Sequence, residues 1–206
     1  MDAYFPDILT LAFTKLQSNP SDSYKQRFVR FYHLVSANTV AGMGTDYFIN
    51  HSEKLQPGVF AQLYPPVILP TTKQFARPVD RKIGVISYTK TLCDSAAFAQ
   101  KYQKGWANTA NHLLELLQNP PKVAGGFGDE IITEADVDDI GFGVGFTPLN
   151  TCKRGPRDDF PEIDNVQAWV SEYLKAGNAR QGGAVLKFVQ ERMQPEAQAA
   201  IAPYLQ

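Results

Sequence analysis

The chain has 206 residues, of which 44% are hydrophobic and 20% charged, which suits one or two domains with a packed core. Twenty Lys and Arg residues against 21 Asp and Glu residues leave a formal net charge of −1, and this balance argues against a general nucleic-acid-binding protein. Two cysteines form neither a zinc quartet nor a disulfide framework, so a reducing compartment is expected. The start of the chain lacks a signal-peptide pattern, and no apolar stretch is long enough to cross a bilayer. The sequence predicts a soluble intracellular protein without membrane insertion.

Apolar residues recur at three- and four-residue steps along most of the chain, which is the spacing of one face of a helix. Prolines, glycines and capping residues divide this pattern into segments. We expect helices over residues 5–16, 22–41, 46–54, 57–69, 78–93, 104–118, 161–176, 183–193 and 195–204.

Single residues set the ends of two of these helices. Ser21 or Asp22 is expected to cap the second helix, and Gly42 is expected to end it. The helix that resumes at Pro161 is expected to stop at Gly177.

Prolines shape the helices in the middle of the chain. Pro57 and Pro78 are each expected at a first helical position, where the missing N–H costs nothing. Pro65, Pro66 and Pro70 are expected to kink or interrupt the helix that begins at Pro57.

Residues 119–160 lose the helical period and are rich in Gly, Pro and acidic residues, which predicts a long irregular loop. Between residues 123 and 152 there is no Lys or Arg. The acidic side chains of this loop are concentrated within eleven residues, at Asp129, Glu130, Glu134, Asp136, Asp138 and Asp139. A run of like charges usually forms a solvated loop, and the alternative is an acidic patch for a basic partner.

The order of predicted elements indicates the fold class. No alternation of strands and helices appears, so the protein is predicted to be all-α. Antiparallel helix pairs in units of about 40–50 residues are typical of a HEAT-repeat α-solenoid. We expect about eight to ten helices, with one long acidic loop rich in Gly and Pro.

Catalytic and metal-binding patterns are absent from the sequence. The three histidines, His33, His51 and His112, lie far apart and are interpreted as core or helix-surface residues. The glycines of 141–145 resemble a phosphate-binding loop, but the acidic residues before them would repel phosphate, and the same acids lack the final Glu of a calcium loop. We expect no enzyme activity, metal or cofactor. A small helical enzyme is one alternative, which a cavity with perturbed titratable groups would reveal.

Several stretches carry a resemblance to a known family. The sequence of Asp80–Leu92, DRKIGVISYTKTL, is similar to a helix near the C-terminus of CAS, the exportin-2 family, and Gln56–Phe60 (QPGVF) with Ile68–Pro70 resembles the helix before it. The acidic loop, the Phe and Leu residues of 141–149, and a final IAPYL follow in the family's order. Because the family's proteins are much longer, the resemblance implies that residues 1–206 are a C-terminal HEAT-repeat segment, with Met1 as an expression start.

The resemblance also implies a function. Receptors of this family bind importin-α together with Ran in its GTP form in the nucleus and return importin-α to the cytoplasm, so shuttling between both compartments is expected. Ran would be bound mainly by the N-terminal arm, which this chain lacks, while the C-terminal arm clasps importin-α. The alternative is a HEAT-like scaffold in an unrelated assembly, which only the family resemblance distinguishes.

Partner contacts are expected in the acidic loop. Asp136, Asp138 and Asp139, with the other three acids of the loop, are expected to face basic residues of importin-α or Ran. Two roles are open for the apolar residues that follow, since they can anchor the partner or pin the loop onto the solenoid: Phe142, Phe146 and Leu149. The first helix of a solenoid segment is expected to expose an apolar face, here Phe5, Leu9 and Phe13, through which the fragment could dimerise.

Overall fold

The computed structural model describes residues 3–119 and 157–205, and within these two ranges the chain is helical without a β-strand. The eleven α-helices of the described residues are α1 (Phe5–Gln17), α2 (Asp22–Ala37), α3 (Thr45–Leu55), α4 (Val59–Leu63), α5 (Leu69–Lys73), α6 (Pro78–Asp94), α7 (Ala96–Gln100), α8 (Gln103–Gln118), α9 (Val166–Arg180), α10 (Ala184–Arg192) and α11 (Pro195–Leu205). A π turn, Tyr64–Ile68, joins α4 to α5, and a 3-10 turn, Val40–Gly42, precedes α3. The all-α prediction is confirmed.

Helix α6 lies at the centre of the array, packed against α2, α8 and α9. On one side α2 contacts α3, and α3 contacts α1; on the other side α11 packs against α9 and α8. The sequence pattern predicted one mostly buried face for α6, but every residue from Ile83 to Thr89 is buried. Because neighbouring helices surround α6, its Ser and Thr residues are buried along with its apolar ones.

Side-chain caps mark the starts of two helices in the first half of the chain. The Ser21 side chain accepts a hydrogen bond from the Tyr24 N–H at 3.2 Å, which confirms the predicted cap of α2. The same contact at α7 joins Ser95 to the Phe98 N–H at 3.2 Å. Helix α7 was not predicted, because five residues are too short to show a period.

Helix α2 ends at Ala37, so the predicted end at Gly42 is wrong. Asn38 leaves the helix with φ −86° and ψ 155°. Its side-chain oxygen accepts hydrogen bonds from the N–H groups of Thr39 at 2.8 Å and Val40 at 3.0 Å. Asparagine competes with the helix for backbone donors in this way, and it therefore stops α2 before the glycines are reached.

The proline-rich helix starts later than predicted. Its first helical residue is Val59 rather than Pro57, because Gly58 adopts a left-handed conformation with φ +82°. Further on, Pro65 and Pro66 lie in the π turn between α4 and α5, which confirms the predicted interruption for these two prolines. Pro70 lies in the first turn of α5 and does not interrupt it.

Gly177 does not end a helix, and this prediction is wrong. Helix α9 starts at Val166 instead of Pro161, capped by the Asn165 side chain, and continues through Gly177 to Arg180. Gly177 is buried against α6, where an added Cβ would lie 2.6 Å from the Cys93 Sγ and 2.8 Å from the Cys93 Cβ. The glycine therefore allows close approach of α9 to α6.

Replacing Gly177 with alanine is expected to lower the free energy of unfolding by about 1–3 kcal/mol, the usual cost of overpacking a core. At an open helical position the same change stabilises a protein, by up to about 1 kcal/mol. Urea denaturation measures the difference, and exposed Lys175→Ala in the same helix is the control, with an effect below about 0.5 kcal/mol. A stabilised Gly177→Ala protein would contradict the close packing.

The predicted dimerisation through Phe5, Leu9 and Phe13 loses its physical basis. These three side chains are buried in the core, with exposures of 0%, 0% and 6%. The exposed apolar residues of this region lie on another side of α1, at Tyr4, Ile8 and Leu11. The most apolar face of α1 is therefore buried against other described helices and is not free to form a dimer.

The core combines large aromatic side chains with paired polar groups. Its largest fully buried aromatic residues come from seven helices: Phe5, Tyr32, Phe48, Phe60, Tyr88, Phe98 and Trp106. Tyr64 Oη lies 2.6 Å from Thr109 Oγ1, and Thr45 Oγ1 lies 2.6 Å from Thr91 Oγ1. These hydrogen bonds satisfy groups that would be costly to bury alone.

Candidate functional site

The nine residues predicted to bind a partner lie outside the described residues: Asp129, Glu130, Glu134, Asp136, Asp138, Asp139, Phe142, Phe146 and Leu149. The structure does describe both flanks of that part of the chain. One flank is the end of α8, and the other is residues 157–165, which lead into α9. Both flanks contact the first turns of α6, and this region is the candidate site.

Arg81 holds the flank at the end of α8. Its Nη2 donates to the carbonyl oxygen of Leu116 at 3.3 Å and to that of Asn119. These carbonyls belong to the last turn of α8 and its end, where helical donors run out and a cation is favourable. Burial lowers the pKa of Arg81 from its usual value. The guanidinium group therefore caps α8 from a neighbouring helix.

Lys82, the next residue, holds the other flank. Its Nζ lies 2.6 Å from Asp158 Oδ2, and only 13% of the Lys82 side chain is exposed. The other carboxylate oxygen of Asp158 accepts a hydrogen bond from the Phe160 N–H at 2.9 Å. The hydrogen bond from Lys82 is the main cause that lowers the pKa of Asp158, so its charged form is favoured.

Arg30 adds a third link between α2, α6 and the returning chain. Its Nε lies 2.8 Å from Asp80 Oδ1, and its Nη2 lies 3.6 Å from Asp159 Oδ2. Burial raises the pKa of Asp80, against the opposing effect of the Arg30 charge. Arg81 and Lys82 of α6 thus contact one flank each, and Asp80 is linked to the returning chain through Arg30.

An apolar layer lies beside these ion pairs. Phe160 and Ile163 pack against residues of α2, α6 and α9: Leu34, Ala37, Ile83, Ile86, Val166 and Trp169. Lys90 Nζ lies 5.7 Å from the centre of the Phe160 ring and donates to the Ala37 carbonyl. Burial lowers the pKa of Lys90. We call Arg30, Asp80, Arg81, Lys82 and Lys90 the anchor face.

The anchor face fixes where residues 120–156 begin and end relative to the core. Ion pairs and hydrogen bonds set the direction of both flanks, while Phe160 and Ile163 supply buried area. Sequence reasoning missed this face. The sequence does contain two triplets with opposite charges available for pairing, Asp-Arg-Lys at 80–82 and Arg-Asp-Asp at 157–159. However, no local feature of the sequence indicates that these two triplets are in contact.

The histidines do not come together among the described residues. His33 is buried with Nε2 2.7 Å from Thr72 Oγ1, as expected for a core histidine. His51 packs against Phe5, and His112 Nδ1 lies 2.8 Å from the Asn108 carbonyl. In residues 3–119 and 157–205, no three His, Cys, Asp or Glu side chains are grouped as metal ligands. None of the described helices combines the length and apolarity needed to span a membrane.

Replacing Arg81 is expected to loosen one flank, and replacing Lys82 is expected to loosen the other. In Arg81→Ala, hydrogen exchange at the Asn119 amide, which donates to the Glu115 carbonyl, should speed up at least fivefold. In Lys82→Ala, the faster exchange should occur at the Phe160 amide instead. Mass-spectrometric or NMR exchange measures both, with exposed Lys187→Ala as the control. Equal effects of Arg81→Ala and Lys82→Ala on both flanks would contradict separate anchors.

Comparison with known proteins decides the family. The family model described as "CAS/CSE protein, C-terminus" matches residues 1–204. The chain belongs to the CAS/CSE family. Two curated CAS/CSE relatives are each named an importin-α re-exporter, one from Schizosaccharomyces pombe (25% identical, 98% of this chain and 21% of the relative) and one from Saccharomyces cerevisiae (25% identical, 95% and 20%). Exportin-2 from Xenopus laevis is 22% identical over 100% of this chain and 21% of its own length. The chain spans about a fifth of these relatives' length.

A solved CAS/CSE structure confirms the fold. The exportin Cse1 in its cargo-free, cytoplasmic state superposes with a TM-score of 0.73 at 23% identity, over 99% of this chain and 20% of that one. The predicted HEAT-repeat solenoid is therefore confirmed. Asp80–Leu92, one of the stretches that carry the resemblance in sequence, lies in the central helix α6 and contributes four of the five residues of the anchor face.

Proposed function

We propose that this chain is the C-terminal HEAT-repeat segment of a larger nuclear export receptor, which binds importin-α together with Ran-GTP and returns importin-α to the cytoplasm. The main support for this proposal is the CAS/CSE family match over residues 1–204, together with the relatives named importin-α re-exporters. The receptor acts by binding, without catalysis of its own. It shuttles between nucleus and cytoplasm, and an N-terminal arm outside this chain makes most of the contacts with Ran.

A solenoid suits this task because each repeat contacts only its neighbours, and small rotations between repeats change the curvature of the whole array. The segment forms one side of a clasp around importin-α. Six acidic residues within 129–139 steer a basic surface of importin-α or Ran toward it. The anchor face supports this role, since it ties both flanks of residues 120–156 to the central helix.

The rival scaffold function differs from the receptor only in its partner. Because family membership is what distinguishes the two, the CAS/CSE match favours the receptor. For an enzyme, titratable groups would have to converge in a cavity. Burial is the main cause of the large pKa shifts among the described residues, at Tyr32, His33, Tyr64, Tyr88, Cys93 and Tyr173.

Calorimetry of the purified chain with importin-α, with and without Ran-GTP, tests the proposal. We expect micromolar or tighter binding. Reversing the charge of Asp136, Asp138 and Asp139 to Lys should weaken it at least tenfold and reduce its salt dependence, because steering charges act through screened Coulomb forces. The matched control reverses three exposed acids on α1, α9 and α11: Asp7, Glu172 and Glu196. Unchanged affinity and salt dependence in the first variant would refute the role of the acidic residues.

Two further experiments distinguish the remaining explanations. If the chain alone does not bind while a full-length receptor containing it does, the clasp requires both arms. Binding by neither would refute the proposed function. Alanine at Phe142, Phe146 and Leu149 should lower affinity if these side chains contact importin-α, and lower the free energy of unfolding if they pack onto the solenoid.

A further inference from the structure

A groove of about 440 Å³ lies between α4 with its π turn and the α7–α8 corner. Its aromatic lining includes Phe60, Tyr64 and Phe98, whose side chains are 1%, 2% and 0% exposed. The volume falls within the range of roughly 300–1,000 Å³ that ligand pockets occupy. None of the residues lining the groove belongs to the anchor face, so it is a separate surface.

The rim of this groove is positively charged. It carries Lys101, Lys104 and Arg192. Lys101 pairs with Glu53 at 2.9 Å, and the Glu53 carboxylate is already engaged by two backbone N–H groups at the start of α4. Within the described part of the chain, neither Lys104 nor Arg192 has a carboxylate at ion-pair distance; the Arg192 guanidinium donates to the Gln103 side chain. The rim therefore retains two cations available to an anionic ligand.

The backbone beside these cations also carries positive partial charge. Helix α8 starts at Gln103 without a side-chain cap, and its first turn contains no acidic residue. The first N–H groups of a helix have no partner within the helix and carry partial positive charge. Gln103, Lys104 and Gly105 line the groove, so a carboxylate there would meet these donors as well as Lys104.

The opposite wall offers an acceptor. Ala61 lines the groove, and the residues four and five positions later are Pro65 and Pro66. Neither proline has an N–H, so the Ala61 carbonyl lacks the donors that an α-helix or a π turn would supply. A peptide backbone can provide the missing N–H.

We propose that this groove binds an acidic linear segment of a partner protein. One apolar side chain of the segment packs against the accessible apolar lining of the groove, at Ala61, Pro65 and Tyr102. Flanking carboxylates contact Lys104, Arg192 and the start of α8. The choice of an acidic occupant follows from charge complementarity, since a basic segment would meet like charges at the rim. The proposal goes beyond the export function, which assigns no role to these residues.

Fluorescence anisotropy tests the charge and the apolar anchor together. The probes are fluorescein-labelled, end-blocked pentapeptides: Glu-Glu-Phe-Glu-Glu, the same peptide with Leu or Ala at the centre, and Lys-Lys-Phe-Lys-Lys. We expect the full chain to bind the Phe peptide at least tenfold more tightly than the Ala-centred and the basic peptides, with affinity that falls as salt rises. Equal binding of acidic and basic peptides, or no binding of the Phe peptide, would overturn the proposal.

Two matched pairs of variants place the binding in the groove. Ala61→Trp fills it, whereas Gln62→Trp changes an exposed neighbour that does not line it. Lys104→Glu reverses a rim charge, whereas Lys187→Glu reverses an exposed charge on α10. The first member of each pair should weaken the Phe peptide at least tenfold, and the second less than twofold.

Sedimentation of the same variants distinguishes other occupants. All four positions are exposed, so equal melting temperatures are expected. If Ala61→Trp leaves peptide binding intact and instead dissociates a dimer of the chain, a second copy occupies the groove and the proposal is wrong.

Discussion

Trp106→Ala is expected to lower the free energy of unfolding by about 3–5 kcal/mol, the range for large aromatic residues removed from a core. Trp106 is 1% exposed in α8 and connects three helices. Its ring stacks on Phe188 of α10 at 5.3 Å, and its Nε1 donates to the Leu92 carbonyl of α6 at 3.1 Å. Alanine would leave a cavity among these helices and an unpaired carbonyl. Urea denaturation followed by far-ultraviolet circular dichroism measures the loss.

Two controls separate the packing of Trp106 from its hydrogen bond. Trp106→Phe keeps most of the ring volume and removes the donor, so a loss of about 1–2 kcal/mol is expected. Trp169→Ala on α9 removes a partly exposed indole that stacks on Tyr173, and it should cost less than Trp106→Ala. A loss below about 1 kcal/mol for Trp106→Ala would contradict its central position in the core.

Lowering the pH from 7 to 4.5 is expected to reduce the free energy of unfolding by about 2.5 kcal/mol through His33 alone. Burial lowers the pKa of His33 from 6.5 to about 3. Between these values the unfolded chain binds a proton that the folded protein does not, so stability falls as the pH falls. Well above pH 6.5 both states are neutral and His33 contributes no slope.

The buried surroundings of His33 explain why its neutral form is favoured. The Thr72 hydroxyl donates its proton to the Ile68 carbonyl at 2.6 Å, so it accepts from the His33 Nε2–H at 2.7 Å. The other nitrogen, Nδ1, is buried and has no hydrogen-bond partner among the described residues. Protonation would place an unpaired N–H and a positive charge in the core.

Urea denaturation at several pH values tests this effect by comparison of variants. His33→Gln should remove about 2.5 kcal/mol of the change between pH 7 and 4.5, because glutamine does not titrate. His112→Gln is the control for the second histidine whose pKa burial lowers, and it should leave most of the slope. An unchanged pH dependence in His33→Gln would contradict the neutral buried state.

Most helix boundaries were predictable because the signals that set them are local. The predicted ends of α1, α3, α8, α10 and α11 agree with the structure within about one residue, since apolar spacing and nearby prolines define them. Ser21 was recognised as a cap for the same reason. Asn38 shows the limit of such signals, because its side chain ended α2 before the more obvious glycines.

Gly177 and α6 show what local signals do not contain. A glycine that ends a helix and a glycine that admits a neighbouring helix look alike in sequence, and only the position of Cys93 distinguishes them. Ser87, Thr89 and Thr91 of α6 are buried because other helices surround them, and no local signal indicates this. In both cases the structural role of the residue depends on neighbours that are far away in the sequence.

The family was predictable from the sequence, whereas the anchor face and the groove were not. The order of short stretches such as Asp80–Leu92 was enough to indicate the CAS family, and the family match confirms it. The anchor face joins residues 30, 80–82, 90 and 158–160, and the groove joins α4, α7, α8 and α10, so neither has a continuous pattern.

The sequence by itself determined most of the helices, the all-α class and the family, because periodicity, caps and ordered similarity are local properties of the chain. Only the tertiary structure decided which glycine is a contact, which helix is central and which charges meet. Those properties depend on distances between residues that are distant in sequence, and packing sets these distances only when the helices come together.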